Sequence, residues 1–179
     1  MIDAELRASI QRALWPVAAR ESVWAVLDLA RDPRIYGVLL ESRLEFLCLY
    51  SGRLPRELER VAPHIVELLP GHRLLDRLLD DGWGKSWGVF VKTADQTNLR
   101  HHLRRFLKVR SESGRPLLFR YYDPRVLRAY LPSCTAGELA TFFGPLHSWV
   151  VEDESGGSLI EYSRAAAGTL QRSETPMGA

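Results

Sequence analysis

An almost uninterrupted apolar run constrains the fold of this chain more than any other feature. Residues 23–29 are apolar except for Asp28. A strand with one solvent-exposed face alternates apolar and polar residues, whereas a continuous apolar run is typical of a strand that is covered on both faces. The run therefore predicts a sheet with helices packed against it.

Helical and strand-like patterns alternate along the rest of the sequence. The predicted helices are 3–14, 33–41, 55–61, 73–80, 95–105, one beginning at 124, and 135–143; the further predicted strands are 45–50, 64–68, 86–92 and two hairpins, 107–110 with 116–121 and 148–152 with 158–162. Short helices between strands, followed by late hairpins, predict an α/β (α+β) fold, a mixed β-sheet with short helices packed on it. We expect an N-terminal helix within residues 1–21, a main domain at 22–164, and a flexible tail at 165–179, which lacks periodicity.

Size, charge and cysteine use restrict the classes of function. The 179 residues are enough for one unaided core, and the formal net charge of +2 gives only weak attraction to nucleic acid or acidic lipid. No apolar run approaches the roughly 18 residues of a membrane helix, and the acidic N-terminus does not resemble a signal peptide, so we expect a soluble, cytoplasmic protein. Cys48 and Cys134 lack a CxxC partner and are expected to be reduced; we expect no metal and no cofactor.

Two aromatic motifs are the strongest candidates for a functional site. The first, residues 82–90, reads Gly-Trp-Gly-Lys-Ser-Trp-Gly-Val-Phe, and the second, residues 118–125, reads Leu-Phe-Arg-Tyr-Tyr-Asp-Pro-Arg. Both place large amphipathic side chains beside turns, which favours binding of another macromolecule over catalysis. The first motif lacks the spacing of a nucleotide-binding loop. Trp83 and Trp87 are therefore either packed residues of a glycine turn or partly exposed binding anchors.

The second motif combines arginine and tyrosine side chains. If residues 120–122 are a strand, Arg120 and Tyr122 share one face while Tyr121 lies on the other. If that face is exposed, it offers an arginine and a tyrosine side by side to a partner. Asp123 is suited to capping the helix that follows, and Arg125 is a further candidate contact.

A basic cluster lies within the predicted helix at 95–105 and just beyond it. Its cationic residues are Arg100, His101, Arg104, Arg105 and Lys108, interleaved with Leu99, Leu103, Phe106 and Leu107. This spacing predicts an apolar stripe and a cationic face. The face is either simply solvated, or binds an acidic protein, or binds nucleic acid, although it lacks aromatic residues for base stacking. We expect Arg104 and Arg105 to affect mainly the rate of association with a partner.

Asp28 is the carboxylate whose position most suggests catalysis. The sequence contains no serine in a nucleophile elbow, no cysteine with an orienting histidine and no acidic cluster suited to magnesium. Asp28 lies near the end of an apolar strand, a position that many active-site aspartates occupy. Two alternatives follow: a hydrogen-bonded structural role, or a role in a small hydrolase or nucleotide-dependent enzyme.

The ordered series of these motifs resembles one known family. The segments are 23–31, 49–52, 62–68, 82–91, 102–109, 117–128 and 142–145. Over about residues 22–152 the series resembles the type VI secretion adaptor proteins, the effector chaperones called TEC or Tap, long catalogued as a domain of unknown function. Gly-Trp-Gly-x-Ser-Trp-Gly and Phe-Arg-Tyr-Tyr-Asp-Pro-Arg-Val-Leu are the most specific parts.

The resemblance implies a non-enzymatic α/β adaptor domain. Such a domain holds a toxic effector in the cytoplasm and helps to load it onto the cognate spike protein, VgrG. It implies the effector and VgrG as partners, with no nucleic acid and no membrane. Residue chemistry nominates the partner contacts, which are Trp83, Trp87, Arg120, Tyr122, Arg125, Arg104 and Arg105.

Overall fold

The computed structural model describes residues 4–16, 21–111 and 113–176. The helices are α1 (Ala4–Leu14), α2 (Arg34–Ser42), α3 (Arg56–Glu59), α4 (Arg73–Gly82), α5 (Leu99–Arg105), α6 (Pro124–Tyr130) and α7 (Ala136–Phe143). The strands are β1 (Ser22–Asp28), β2 (Phe46–Cys48), β3 (Pro63–Leu68), β4 (Gly88–Thr93), β5 (Lys108–Arg110), β6 (Pro116–Leu118), β7 (Leu146–Glu152), β8 (Ser158–Arg164) and β9 (Leu170–Pro176). Within these ranges no helix is long and apolar enough to cross a membrane.

Seven of the strands form one sheet in the order β2-β3-β1-β4-β7-β8-β9, and β5 pairs with β6 in a separate hairpin. The predicted α+β class is confirmed. The sheet was expected to be mixed, but each strand pair in the described part of the chain is antiparallel. Both predicted hairpins are present, as β5 with β6 and β7 with β8.

The central strand β1 is covered on both faces, as its apolar run predicts. Val23, Ala25 and Leu27 face a core that α1, α2 and α4 share. Trp24 and Val26 face a second core, to which α5, α6 and α7 contribute. Side chains alternate between the two faces of a strand. A strand that is apolar at nearly every position therefore faces a hydrophobic core on each side of the sheet. The molecule is therefore a sheet between two helical layers.

Helix α1 belongs to this layered structure. The buried Lys92 Nζ donates to Ala13 O at 2.7 Å and to Glu161 Oε1 at 2.8 Å. Since Ala13 lies in the last turn of α1, the lysine satisfies a carbonyl that the helix end leaves unpaired. Arg7 of α1 also pairs with Asp80 of α4, at 2.8 Å. Residues 1–3 and 17–20 of the predicted N-terminal segment lie outside the described residues.

The prediction of a flexible tail is wrong for residues 170–176. They form β9, which pairs with β8 from Ser158 opposite Pro176 to Arg164 opposite Leu170. Gly168, at φ +83°, makes the connecting turn and donates its N–H to Ala165 O at 2.9 Å. Most residues of β9 are exposed, so burial imposes no apolar alternation on this strand. The remainder of the predicted tail, 177–179, lies outside the described residues.

Gly82 ends α4 at a point where the Trp87 ring lies directly against the helix. A Cβ at position 82 would be 2.6 Å from Trp87 Cε3. Carbon atoms in contact prefer a separation of about 3.5–4.0 Å, so a side chain here must displace the ring or the helix end. Gly37, in α2, has no atom within 4 Å of the position that its Cβ would take.

These two helical glycines give a matched test of the packing of Trp87. Gly82→Ala is expected to lower the free energy of unfolding by roughly 1–3 kcal/mol because of overpacking. Gly37→Ala is expected to leave it unchanged or to raise it by up to about 1 kcal/mol because alanine favours the helix. Urea denaturation measures both; equal effects of the two substitutions would contradict the contact between α4 and Trp87.

Candidate functional site

The two aromatic motifs meet at one end of the main sheet. β4 begins at Gly88, which pairs with Leu27, and the Asp28 N–H donates to Trp87 O at 2.8 Å. In an antiparallel sheet the end of one strand lies beside the beginning of its neighbour, so β1, β4 and β7 bring sequence-distant segments together. We call this region the motif end. It comprises residues 28–32, 83–88, 119–125 and 152–157.

The Asp28 carboxylate is closed off by protein groups. One oxygen accepts from Arg120 Nη2, and the other accepts from the Ala30 N–H at 3.2 Å. The Asp28 side chain is 2% exposed, whereas that of Arg120 is 42% exposed. A buried carboxylate needs a compensating charge and hydrogen bonds, and Arg120 supplies both. The pair links the end of β1 to the second motif.

A second carboxylate–arginine pair lies beside the first. The Asp123 oxygens accept from Arg125 Nε at 2.9 Å, from Nη2 at 2.6 Å and from the Arg125 N–H at 3.0 Å. Asp123 thus caps α6, as predicted, and also holds the arginine. Burial raises the pKa of Asp123, but the hydrogen bonds from Arg125 outweigh burial and the pKa lies below its ordinary value. The Arg125 side chain is 52% exposed.

Glu152, at the end of β7, fixes the turn of the first motif. Its carboxylate accepts from the N–H groups of Gly84 at 2.6 Å and Ser86 at 2.8 Å. Both residues have positive φ, +74° for Gly84 and +58° for Ser86, and successive N–H groups in such turns form a site for an anion. Burial raises the pKa of Glu152 although these hydrogen bonds act in the opposite direction. A buried side-chain carboxylate therefore holds the turn in place.

The two tryptophans of the first motif have different surroundings. Trp83 is half-buried and its Nε1 donates to Gly156 O at 2.9 Å. Trp87 is buried in the core, against Gly82, and the Arg34 guanidinium lies 5.6 Å from its ring centroid. The expectation that Trp87 is a partly exposed anchor is wrong, because the ring fills the space between α4 and the sheet. Trp83 keeps part of its surface accessible to a partner.

The expectation that Arg120 and Tyr122 share an exposed strand face is also wrong. β6 ends at Leu118, and the residues that follow form a turn. Tyr121 and Tyr122 are both buried. The Tyr121 hydroxyl donates to Leu103 O at 2.9 Å, and the Tyr122 hydroxyl interacts with that of Tyr50. Burial raises the pKa of Tyr121 and of Tyr122. Tyr122 is therefore a neutral core residue and does not contact a partner directly.

Four cations lie at the surface of the motif end, which also carries the exposed acid Glu154. The buried carboxylates of Asp28 and Asp123 bind Arg120 and Arg125, and both arginine side chains remain about half exposed. Arg31 and Lys85 are two further exposed cations, and Arg31 Nε donates to the backbone Lys85 O at 3.0 Å. A guanidinium that is already held in place loses less conformational entropy when a partner binds it. This arrangement is suited to binding carboxylates on another molecule.

Arg104 and Arg105 lie in different environments on α5. The Arg105 guanidinium is exposed and lies 6.0 Å from the Phe106 ring centroid, whereas Arg104 lines a groove of about 400 Å³. The predicted apolar stripe is confirmed, since Leu99 and Leu103 are buried. We call this cavity the leucine groove. Its lining residues are Leu49, Tyr50, Ser51, Leu54, Leu58, Arg104, Leu107, Lys108 and Leu118.

Sequence reasoning missed Glu152 and the leucine groove. Glu152 stands at the end of a predicted strand, and no local pattern connects it to Gly84, which is far away in sequence. The groove is assembled from four separate segments. The adjacent Leu117 and Leu118, in a short hairpin with few other apolar residues, were the one local signal of an exposed apolar surface.

Residues 23–141 match the family DUF4123, described as a domain of unknown function. The match covers more than half of the chain, and the chain belongs to this family. Both aromatic motifs lie within the matched residues. No curated protein and no solved structure matches the chain.

The contact between Asp28 and Arg120 is testable with a double-mutant cycle. Arg120→Met is expected to lower the free energy of unfolding by about 2–4 kcal/mol, because it leaves the Asp28 charge buried without its partner. With Asp28→Asn also present, the loss should be smaller than the sum of the two single losses by at least about 1 kcal/mol. Urea denaturation gives the three values.

The exposed pair of Arg34 and Asp32 serves as the control for this cycle. Its Nη2–Oδ2 distance is 2.7 Å, but the Arg34 side chain is 60% exposed. Arg34→Met is expected to lower the free energy of unfolding much less than Arg120→Met does, because water screens an exposed ion pair. Purely additive effects of the Asp28 and Arg120 substitutions would contradict the role assigned to this buried ion pair. An equal loss of unfolding free energy on Arg34→Met would contradict it as well.

Proposed function

We propose that this protein is a non-catalytic adaptor that binds a toxic type VI secretion effector and aids its loading onto the cognate VgrG spike protein in the cytoplasm. The observation that carries the proposal is the motif end itself. There, buried carboxylates are used to hold exposed arginines and a turn. Membership of DUF4123 is consistent with the resemblance to the effector chaperones called TEC or Tap.

The chemistry of the motif end supports protein binding. Arg120 and Arg125 present guanidinium groups that form charge-assisted hydrogen bonds with carboxylates. Trp83 adds a half-buried indole beside them, and arginine and tryptophan are enriched among residues that dominate interface energetics. A partner that offers acidic side chains around an apolar contact would match this surface.

The geometry of Asp28 favours a structural role over a catalytic one. Its two oxygens accept hydrogen bonds from Arg120 and Ala30, and the side chain is almost fully buried. A general base or nucleophile needs its oxygen within reach of a substrate atom. Here the carboxylate acts as an anchor, which supports the adaptor proposal over the hydrolase or nucleotide-dependent alternative.

The test is co-purification from cells that express the tagged chain together with an effector and a VgrG from the same genome. Both proteins are expected to co-purify with the unaltered chain. Arg125→Gln should weaken binding of at least one partner by about tenfold, because an interfacial arginine loses its charge.

Arg172→Gln is the matched control. Arg172 is 47% exposed and pairs with Glu174 two residues away, as Arg125 pairs with Asp123, but it lies on β9. This variant should bind both partners as the unaltered chain does. Urea denaturation of each variant checks that it is folded. If the folded, unaltered chain retains neither the effector nor VgrG, the proposal is wrong.

A further inference from the structure

The leucine groove is an open apolar cavity beside the motif end. Its walls are the segment 49–54, α3, the end of α5 and β6, and five of its lining residues are leucines. Leu58 and Leu118 are exposed on its rim, and Leu118 is 49% exposed. An open groove that is lined by leucines offers apolar contact area to a partner.

The hairpin of β5 and β6 extends this apolar surface. Lys108 pairs with Leu118, and Val109 pairs with Leu117, so each pair lies on one face of the hairpin. All four residues are exposed, which leaves apolar side chains on both faces of a two-stranded sheet. Such a sheet is only marginally stable alone in water. A bound partner that covers the Leu118 face would stabilise it.

The charges on the groove indicate the sign of the partner. The charged lining residues are Arg104 and Lys108, and neither has an ion-pair partner in the part of the chain that the structure describes. Arg100, one turn before Arg104, is already engaged, since its Nε and Nη2 donate to Cys48 O at 3.1 Å and 2.8 Å. Two cations that form no ion pair within the described residues, placed beside leucines, favour an occupant that carries Asp or Glu next to its apolar residues.

The contact of Arg100 also indicates how the occupant binds. Leu49 donates its N–H to Pro63 O on β3, so the backbone groups of the preceding residue, Cys48, face outward from the edge strand β2. Arg100 occupies that outward carbonyl and blocks addition of a strand at this point. Side chains are then the means of binding, as when the apolar face of a helix enters a groove.

A second copy of this chain is poorly suited to fill the groove. Its acidic amphipathic helix is α4, which carries Asp76, Asp80 and Asp81. The leucines of α4 are buried in its own core. The helix would have to leave that core before it could present an apolar face elsewhere.

The groove is continuous with the motif end. Tyr50 lines the groove, and its hydroxyl interacts with that of Tyr122. Leu118 precedes Arg120 by two residues. One partner could therefore contact the groove with apolar side chains and the exposed arginines with acidic ones.

We propose that the leucine groove binds an amphipathic helix of the effector whose leucine-like residues are flanked by Asp and Glu. This inference rests on the proposed adaptor function and specifies the chemistry of the cargo. The apolar face of the helix packs on Leu58, Leu107 and Leu118. Its carboxylates meet Arg104 and Lys108.

Three labelled peptides of about 18 residues, or five helical turns, serve as probes. The acidic peptide has leucines at helical spacing i, i+3, i+4 and i+7 with glutamates elsewhere, the basic peptide replaces each glutamate by lysine, and the third shuffles the leucines of the acidic peptide. Fluorescence anisotropy should show the acidic peptide binding about tenfold more tightly than either of the others. Its affinity should fall as salt rises from about 50 to about 500 mM.

Variants of the groove make the test specific. Leu118→Asp should weaken binding of the acidic peptide by about tenfold or more. Leu40→Asp is the matched control, since Leu40 is 55% exposed but lies on α2 in the opposite helical layer, and it should bind as the unaltered chain does. The double variant Arg104→Glu/Lys108→Glu should prefer the basic peptide. An unfolded chain would not show such a reversal.

Absence of binding, equal affinity for acidic and basic peptides, or no effect of Leu118→Asp would overturn the inference. Its failure is distinguishable from failure of the adaptor function. If the effector co-purifies equally with the unaltered chain and with Leu118→Asp, the groove assignment is wrong and the adaptor function stands. If neither the effector nor VgrG co-purifies with the unaltered chain, the adaptor function is wrong.

Discussion

The ion pair between the buried Asp28 carboxylate and Arg120 is the interaction on which the motif end depends. β1 is covered on both faces, so a carboxylate at its end lies where water cannot solvate it. Such a charge is tolerated only when a partner compensates it, and Arg120 comes from a segment far away in sequence. The requirement to compensate Asp28 therefore fixes the second motif against the end of β1, which is hydrogen-bonded to the first motif through Trp87 O.

The same principle recurs around this pair and produces the surface. Asp123 holds Arg125, and Glu152 holds the turn at Gly84 and Ser86. In each case the anion is buried and the group that it binds lies at or near the surface. The fold thus uses buried carboxylates to orient cations and backbone, and the leucine groove adds an apolar surface beside them.

Much of the fold follows from sequence patterns, whereas the site follows less well. The continuous apolar run of β1 and the regular leucines of α4 report burial directly, so their placement was predictable. β9 was missed because an exposed strand carries no such pattern. Trp87 and Tyr122 were misassigned because the burial of a large aromatic side chain depends on what packs over it. Helix α4 covers Trp87 and Tyr50 contacts Tyr122, and the sequence of the motifs alone does not show these contacts. Asp123 was correctly assigned because capping is a local interaction.

We propose that the motif end and the leucine groove together form the docking surface of an adaptor. Hydrogen–deuterium exchange of the chain, alone and in complex with its effector, tests this claim most directly, because it reports where the partner lies without altering any residue. Slower exchange on binding is expected in the segments 49–58, 83–88 and 104–125, with β9 unchanged. Protection confined to β9, or to α2 and α4, would contradict it.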